Sequence, residues 1–189
     1  MPNRNIIHIH EKEKYEWLWN HGYRPSKCAL PLAEYIAKIC DSEWMLLDIG
    51  CGDGSTVYDL RERGFNCQGL DITLVGLNNG KDGFKEESIW KTSYHDDHFD
   101  FTFSTDLLEH LPPEFADDSI AEIFRITRYK TFHSVANFAD VRAGRVLHLI
   151  HKPAKWWKAK FNALNMKSLK FEIIDRKIFL LAYRNLGGA

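Results

Sequence analysis

Three glycines set at alternate positions constrain this chain most. They stand in Asp48-Ile-Gly50-Cys-Gly52-Asp-Gly54, directly after the apolar run 44–49 and directly before a segment with helical spacing. A short apolar run that ends in glycines reads as a fully buried parallel strand. Glycine lets the backbone turn sharply and come close to a ligand. The spacing is G-x-G-x-G, whereas a dinucleotide fingerprint is G-x-G-x-x-G, with a longer last interval. A pyrophosphate lying on a helix N-terminus is therefore disfavoured, and with it a nicotinamide oxidoreductase. Asp71 lies 21 residues beyond Gly50, at the end of the next predicted strand, 65–70. A carboxylate there can accept hydrogen bonds from both hydroxyls of a ribose. Loop and acid together describe a nucleoside ligand without a diphosphate.

The rest of the chain supplies a frame for that turn. Residues 11–20 read as a charged helix carrying Tyr15, Leu18 and Trp19, broken by His21-Gly22. A second helix starts near Ser26 or Pro31, with a stripe of Leu32, Tyr35, Ile36 and Ile39. Ser55 is placed to cap a third, whose core face is Val57 and Leu60 and which Gly64 ends. Further on come a strand over 99–104, a helix over 113–127 with Phe115, Ile120, Ile123 and Phe124 inward, a strand over 131–138 and a helix over 153–164. Two closing strands, 169–174 and 178–183, flank the turn Asp175-Arg176-Lys177 and are too close in sequence for a parallel crossover. Alternating strands and helices predict a parallel sheet with helices on both faces. Ligands of such sheets sit outside the carboxyl ends of the strands, where the glycines, Asp71 and Asp106 fall.

Composition narrows the class. A chain of 189 residues fits one domain, and 44% hydrophobic residues give it a core. A formal net charge of −1 exerts no pull on nucleic acid or an anionic membrane. Cys28, Cys40, Cys51 and Cys67 form no C-x-x-C pair and read as free thiols of a reducing compartment. The N-terminus lacks the apolar stretch of a signal peptide, and no run reaches the ~20 apolar residues of a membrane span, so a cytoplasmic protein is expected. His95-Asp96-Asp97-His98 has the composition of a metal site but reads as a solvated polar turn. No metal is expected.

Three segments carry a resemblance. Leu46-Leu-Asp-Ile-Gly-Cys-Gly-Asp-Gly54, Gly69-Leu-Asp-Ile-Thr73 and Phe99-Asp-Phe-Thr-Phe-Ser-Thr-Asp-Leu-Leu-Glu-His-Leu-Pro112 resemble, in order and spacing, the three main signatures of class I S-adenosylmethionine (SAM)-dependent methyltransferases of the small, single-domain bacterial and phage type. The resemblance implies an α/β, Rossmann-like fold: a seven-stranded, mostly parallel sheet with helices on both faces and an antiparallel C-terminal strand pair. It implies one domain over 1–189, divided into an N-terminal helical lid (1–42), a SAM-binding core (43–138) and a substrate-side segment with the closing strands (139–189). Asp48 with Gly50, Cys51, Gly52 and Gly54 would surround the methionine part of SAM. Asp71 would hold the ribose, Ile72 would pack on the adenine, and Ser104, Thr105 and Asp106 would lie near the sulfonium. The acid that often contacts adenine after the family's third strand is missing from 89–99. Thr92, Ser93 or Tyr94 takes that place, with Asp96 or Asp97 as substitutes.

SAM brings an activated methyl group, so such an enzyme mainly places a nucleophile in line at roughly 3 Å and excludes water. A hydroxyl acceptor also needs a base. His110, His133, the pair His148 and His151, and Asp106 are the candidates. Between positions 141 and 170 there are eight Lys or Arg and no Asp or Glu. One reading is an acidic or phosphorylated acceptor held by Arg142, Arg145, Lys152 and Lys155, with Trp156 stacking on a sugar or base. The other is structural: Trp157, Phe161 and Leu164 share a core face, and Lys155, Lys158 and Asn162 a wet one. The stretch 147–157 is similar to a segment of methyltransferases that accompany glycan-modifying enzymes, which favours a small-molecule or glycan hydroxyl. Asp106-Leu-Leu-Glu109 differs from the proline-aromatic motif of DNA amino-methyltransferases, which disfavours nucleic acid. Near the N-terminus, Tyr15, Trp19, Tyr23 and Arg24 are placed either to close over SAM or simply to pack. A SAM-binding module without catalysis, or a methyltransferase of another acceptor class such as nucleic acid or protein, stays open on these residues.

Overall fold

Asn3 starts the first helix by accepting a hydrogen bond from the Asn5 amide on its side-chain oxygen at 3.0 Å. The structure, a computed structural model, describes residues 3–24, 32–164, 166–174 and 177–184. Cys28, the start of the second helix, and Asp175 and Arg176 of the closing turn lie outside them. The chain forms two compact units, 1–89 and 90–189.

In the first unit, helix α1 covers Arg4–Asn20, more than a turn longer at its start than the charged pattern indicates. Leu18 is its one buried residue. Polar contacts hold the rest: His8, Lys12, Glu16 and Trp19 recur along one face, and the first three bond to Ser88, Glu86 and Thr73. Helix α2, Leu32–Ile39, buries Leu32, Ala33 and Ile36. Strand β1, Met45–Ile49, pairs in parallel with β2, Asn66–Asp71, which pairs in parallel with β3, Phe84–Glu86. Helix α3, Ser55–Glu62, joins β1 to β2 and buries Val57 and Leu60. Ser55 does not cap it. The cap is Gly54, in the left-handed region at φ 77°, and Asp53 accepts the Ser55 amide at 3.0 Å.

In the second unit, β4, Phe99–Thr105, pairs in parallel with β5, Thr127–Ala136. Helix α4, Ala116–Ile126, connects them after a short 3-10 turn at Pro113–Phe115. Phe115, Ile120 and Ile123 are buried as the spacing requires, but Phe124 is half-exposed, and Ile126 is buried instead. A hairpin absent from the sequence reading follows: β6, Val141–Arg142, and β7, Arg145–Val146, turn through Ala143 and Gly144, both at positive φ. Helix α5, Ala154–Asn162, buries Trp157 and Phe161 and leaves Lys155, Lys158 and Asn162 wet. The closing strands, β8 (Met166–Ile174) and β9 (Lys177–Arg184), are antiparallel, with β9 inserted antiparallel between β5 and β8. Among the described residues no helix is long and apolar enough to cross a membrane.

Candidate functional site

The turn after β1 is built as its spacing requires. Gly50, Gly52 and Gly54 all adopt positive φ, at 74°, 56° and 77°. The Gly50 and Cys51 amides donate to the Leu70 carbonyl at 2.7 and 3.1 Å, which ties the turn to the end of β2. There Asp71 accepts the Gly52 amide on Oδ2 at 2.9 Å and the Thr73 amide on Oδ1 at 3.3 Å. The sequence elements singled out as glycine loop and acid are thus bonded to one another.

Burial raises the Asp71 carboxyl from its ordinary range to about 6, against the opposing pull of the Gly52, Thr73 and Ile72 amides. Asp48 is buried in β1, and desolvation, with the charges of Asp71 and Asp53, pushes its carboxyl well up. Cys51 is buried and its thiol is pushed up for the same reason. Ile72 is half-exposed. Trp19 of α1 lies over the turn: a Cβ on Gly52 would stand 3.5 Å from its ring, and one on Gly76 only 2.4 Å. Tyr23 meets Trp19 edge-on at 5.3 Å, while Arg24 donates to the Tyr23 carbonyl.

Glu86, at the end of β3, escaped the sequence reading. It accepts from Lys12 Nζ at 2.6 Å and from the Leu74 amide at 2.9 Å, and these bonds hold its carboxyl low. Its signal is weak because β3 is only three residues long.

In the second unit a buried polar chain crosses β4 and β5. Thr127 bonds to Thr102 at 2.7 Å, Thr102 to Thr131 at 2.8 Å, Thr131 to His133 Nε2 at 2.6 Å, and His133 Nδ1 to Ser104 at 2.7 Å. Burial lowers His133 to about 3, so it is neutral, and both ring nitrogens are taken. His133 is therefore no candidate base. Ser104 is fully buried, with its hydroxyl committed to His133. Thr105 is half-exposed at the end of β4.

Asp106 follows at φ 51°. Its amide donates to the Ser134 carbonyl at 3.0 Å, and its carboxylate pairs with Lys177 of β9 at 2.5 Å. Lys177 was not singled out, since its partner lies 71 residues away. Glu109 is fully buried, and its carboxyl is raised to about 8, by burial first and then by the charge of Asp106. His110 and His148 are buried beside it, with ring centroids 4.7 Å apart. His151 is exposed, its ring 6.4 Å from that of His148.

The basic stretch 141–170 is partly neutralised from outside its bounds. Arg142 pairs with Asp140 at 2.9 Å, and Lys160 with Asp117. Arg145 donates to the Ala143 carbonyl, and Lys152 is exposed. Trp156 is half-buried, edge-on to Trp157, with Lys160 Nζ 4.9 Å above its ring. The 92–97 segment is tied down as well. Thr92 bonds Glu122, and Arg125 bonds both the Tyr94 carbonyl and Asp96. Asp97 is at φ 54°, with its amide on the Arg125 carbonyl. In the His95–His98 turn, His98 Nδ1 and His95 Nε2 lie 2.6 Å apart.

Comparison with known proteins places this geometry. Residues 47–132 match the family described as methyltransferase domain. No curated protein matches the sequence. The fold is similar to that of 1,6-didemethyltoxoflavin-N1-methyltransferase from Burkholderia thailandensis, solved with 1,6-didemethyltoxoflavin and S-adenosylhomocysteine: TM-score 0.79 and 13% identity, over 97% of this chain and 91% of that one. Magnesium protoporphyrin IX methyltransferase from Synechocystis, with bound S-adenosylhomocysteine, gives TM-score 0.71 and 14% identity over 96% and 100%. A SAM-dependent methyltransferase from Methanosarcina mazei gives 0.69 and 18% over 84% and 99%.

Proposed function

We propose, on the premise that this chain is a class I SAM-dependent methyltransferase, that it methylates a small polar acceptor, a sugar or glycan hydroxyl being the favoured class. The observation that carries the donor side is the bond from the Gly52 amide to Asp71 within a turn of three positive-φ glycines. In this reading the backbone at Gly50, Cys51, Gly52 and Gly54, with Asp48, surrounds the methionine part of SAM. Asp71 accepts the ribose hydroxyls and Ile72 packs on the adenine. Helix α1 acts as a lid through Trp19. The family's single domain over 1–189, its seven-stranded sheet and a cytoplasmic location belong to the same proposal.

The acceptor side rests on lighter support. The two structural relatives named with an acceptor, the toxoflavin and protoporphyrin enzymes, carry small-molecule names. Lys152 is exposed in the same basic stretch as Arg142 and Arg145, so an acidic or phosphorylated group on the acceptor suits it. Trp156 offers a face for a sugar. The acceptor oxygen attacks the methyl carbon, the C–S bond breaks, and neutral S-adenosylhomocysteine leaves. The hydroxyl proton passes to a base drawn from Asp106, His110, His148 and His151.

The test is methyl transfer from labelled SAM to a panel of sugars, sugar phosphates, nucleotides and small acids. Label on a hydroxyl of one of these is the expected result. Transfer confined to protein or nucleic acid would overturn the acceptor class, and intact SAM binding with no transfer at all would point to a module without catalysis.

A further inference from the structure

The segment after the β6–β7 hairpin is laid against the short 3-10 turn Leu108–His110. Both the Leu149 and Ile150 amides donate to the Glu109 carbonyl, at 2.7 and 2.9 Å. This brings His148 to the Glu109-His110 pair. One ligand-type atom from each of the three residues lies within 4.8 Å of the others. All three side chains are buried, at 0%, 9% and 4% exposure for Glu109, His110 and His148.

Two details give the cluster a direction. Glu109 Oε1 accepts the Ala136 amide at 2.7 Å, while Oε2 is buried with no hydrogen-bond partner among the described residues. A buried carboxylate oxygen left unpaired is costly, and an ion is one of the things that removes the cost. His148 Nδ1 lies 2.5 Å from the Phe138 carbonyl. Only a protonated Nδ1 can donate there, so Nε2 carries the free lone pair. Metal-binding imidazoles are oriented in this way, by a bond from the other ring nitrogen to a carbonyl.

We propose that Glu109, His110 and His148 form a binding site for a divalent first-row transition-metal ion of the zinc class. Two imidazoles and one carboxylate are a borderline-soft donor set that leaves coordination positions open. Tetrahedral bonds of zinc place ligand atoms about 3.3 Å apart, so closure from the present spacing needs only modest side-chain rotation. The site takes two of the proposed bases, His110 and His148, so a bound metal leaves Asp106 and His151 for that role, and its test reads metal uptake rather than methyl transfer.

The experiment uses tag-free, full-length protein stripped with a chelator, desalted, and titrated with zinc by calorimetry. Metal content is measured after a second desalting. Stoichiometric uptake is expected, and cobalt in place of zinc should give visible ligand-field bands. Glu109→Gln and His148→Asn should each weaken binding by about 100-fold or more, whereas His151→Asn should bind as the parent does. Circular dichroism shows that each variant is folded. Folded parent protein that takes up no zinc, cobalt or manganese overturns the proposal, as does parent-like binding in both Glu109→Gln and His148→Asn.

Discussion

Asp71 sits where burial works against its charge, and that opposition makes its proposed role measurable. A ribose needs the ionised carboxylate, and the carboxyl titrates at about 6. SAM affinity should therefore be level above pH 6 and fall about tenfold per pH unit below it, as read by calorimetry. Asp71→Ala should weaken SAM by about 100-fold or more, since charged hydrogen bonds contribute about 1.5–3 kcal/mol each, and unchanged affinity would refute the ribose role. Gly54→Ala should cost about 1–3 kcal/mol in urea unfolding, because φ is 77° and the new Cβ would lie 2.8 Å from the Tyr58 ring and 3.0 Å from Phe84. The positive φ of these glycines was legible, since alternate glycines after a strand have few other uses. The fate of His133 was not. A histidine in a strand reads the same whether its ring is wet or locked between Ser104 and Thr131.

Helix α1 shows what periodicity hides at the scale of an element. Its inner face is made of His8, Lys12, Glu16 and Trp19, so a search for an apolar stripe finds only its second half. The strands β3, β6 and β7 were missed for a related reason: at two or three residues each they carry no alternation to detect. The antiparallel closing pair was legible because a three-residue polar turn admits no crossover. If α1 is the lid, Trp19 reports on the donor. SAM should change tryptophan fluorescence in the parent and not in Trp19→Phe, and Trp19→Ala should release S-adenosylhomocysteine faster in stopped-flow chase. An unaltered release rate would remove Trp19 from the lid.

The order of elements across the whole chain was enough to reach the fold, because alternating buried strands and helices leave few topologies. The acceptor was not reachable, since the counter-ions of the basic stretch, Asp140 and Asp117, come from outside it. Global stability gives two checks. SAM or S-adenosylhomocysteine at 100 times its Kd should add about 2.7 kcal/mol, raising Tm by about 5–10 °C, and NAD should not. Burial holds His133 at about 3, below its ordinary 6.5, so the folded state binds fewer protons than the unfolded one between those values. Stability from this residue is present above pH 6.5 and is lost on the way down to about 3, at up to about 1.4 kcal/mol per pH unit. Denaturation series for the parent and His133→Gln should differ in slope over that window. Equal slopes would show that the ring is not held neutral.

The pairing of Lys177 with Asp106 carries one more consequence, for how the molecule comes into being. The ammonium that neutralises Asp106 is polymerised 71 residues later, at the head of a strand that must slide in beside β5. A nascent chain stalled before that point would hold the loop after β4 with an uncompensated charge and β5 with an open edge, so this unit matures only once β9 has been made.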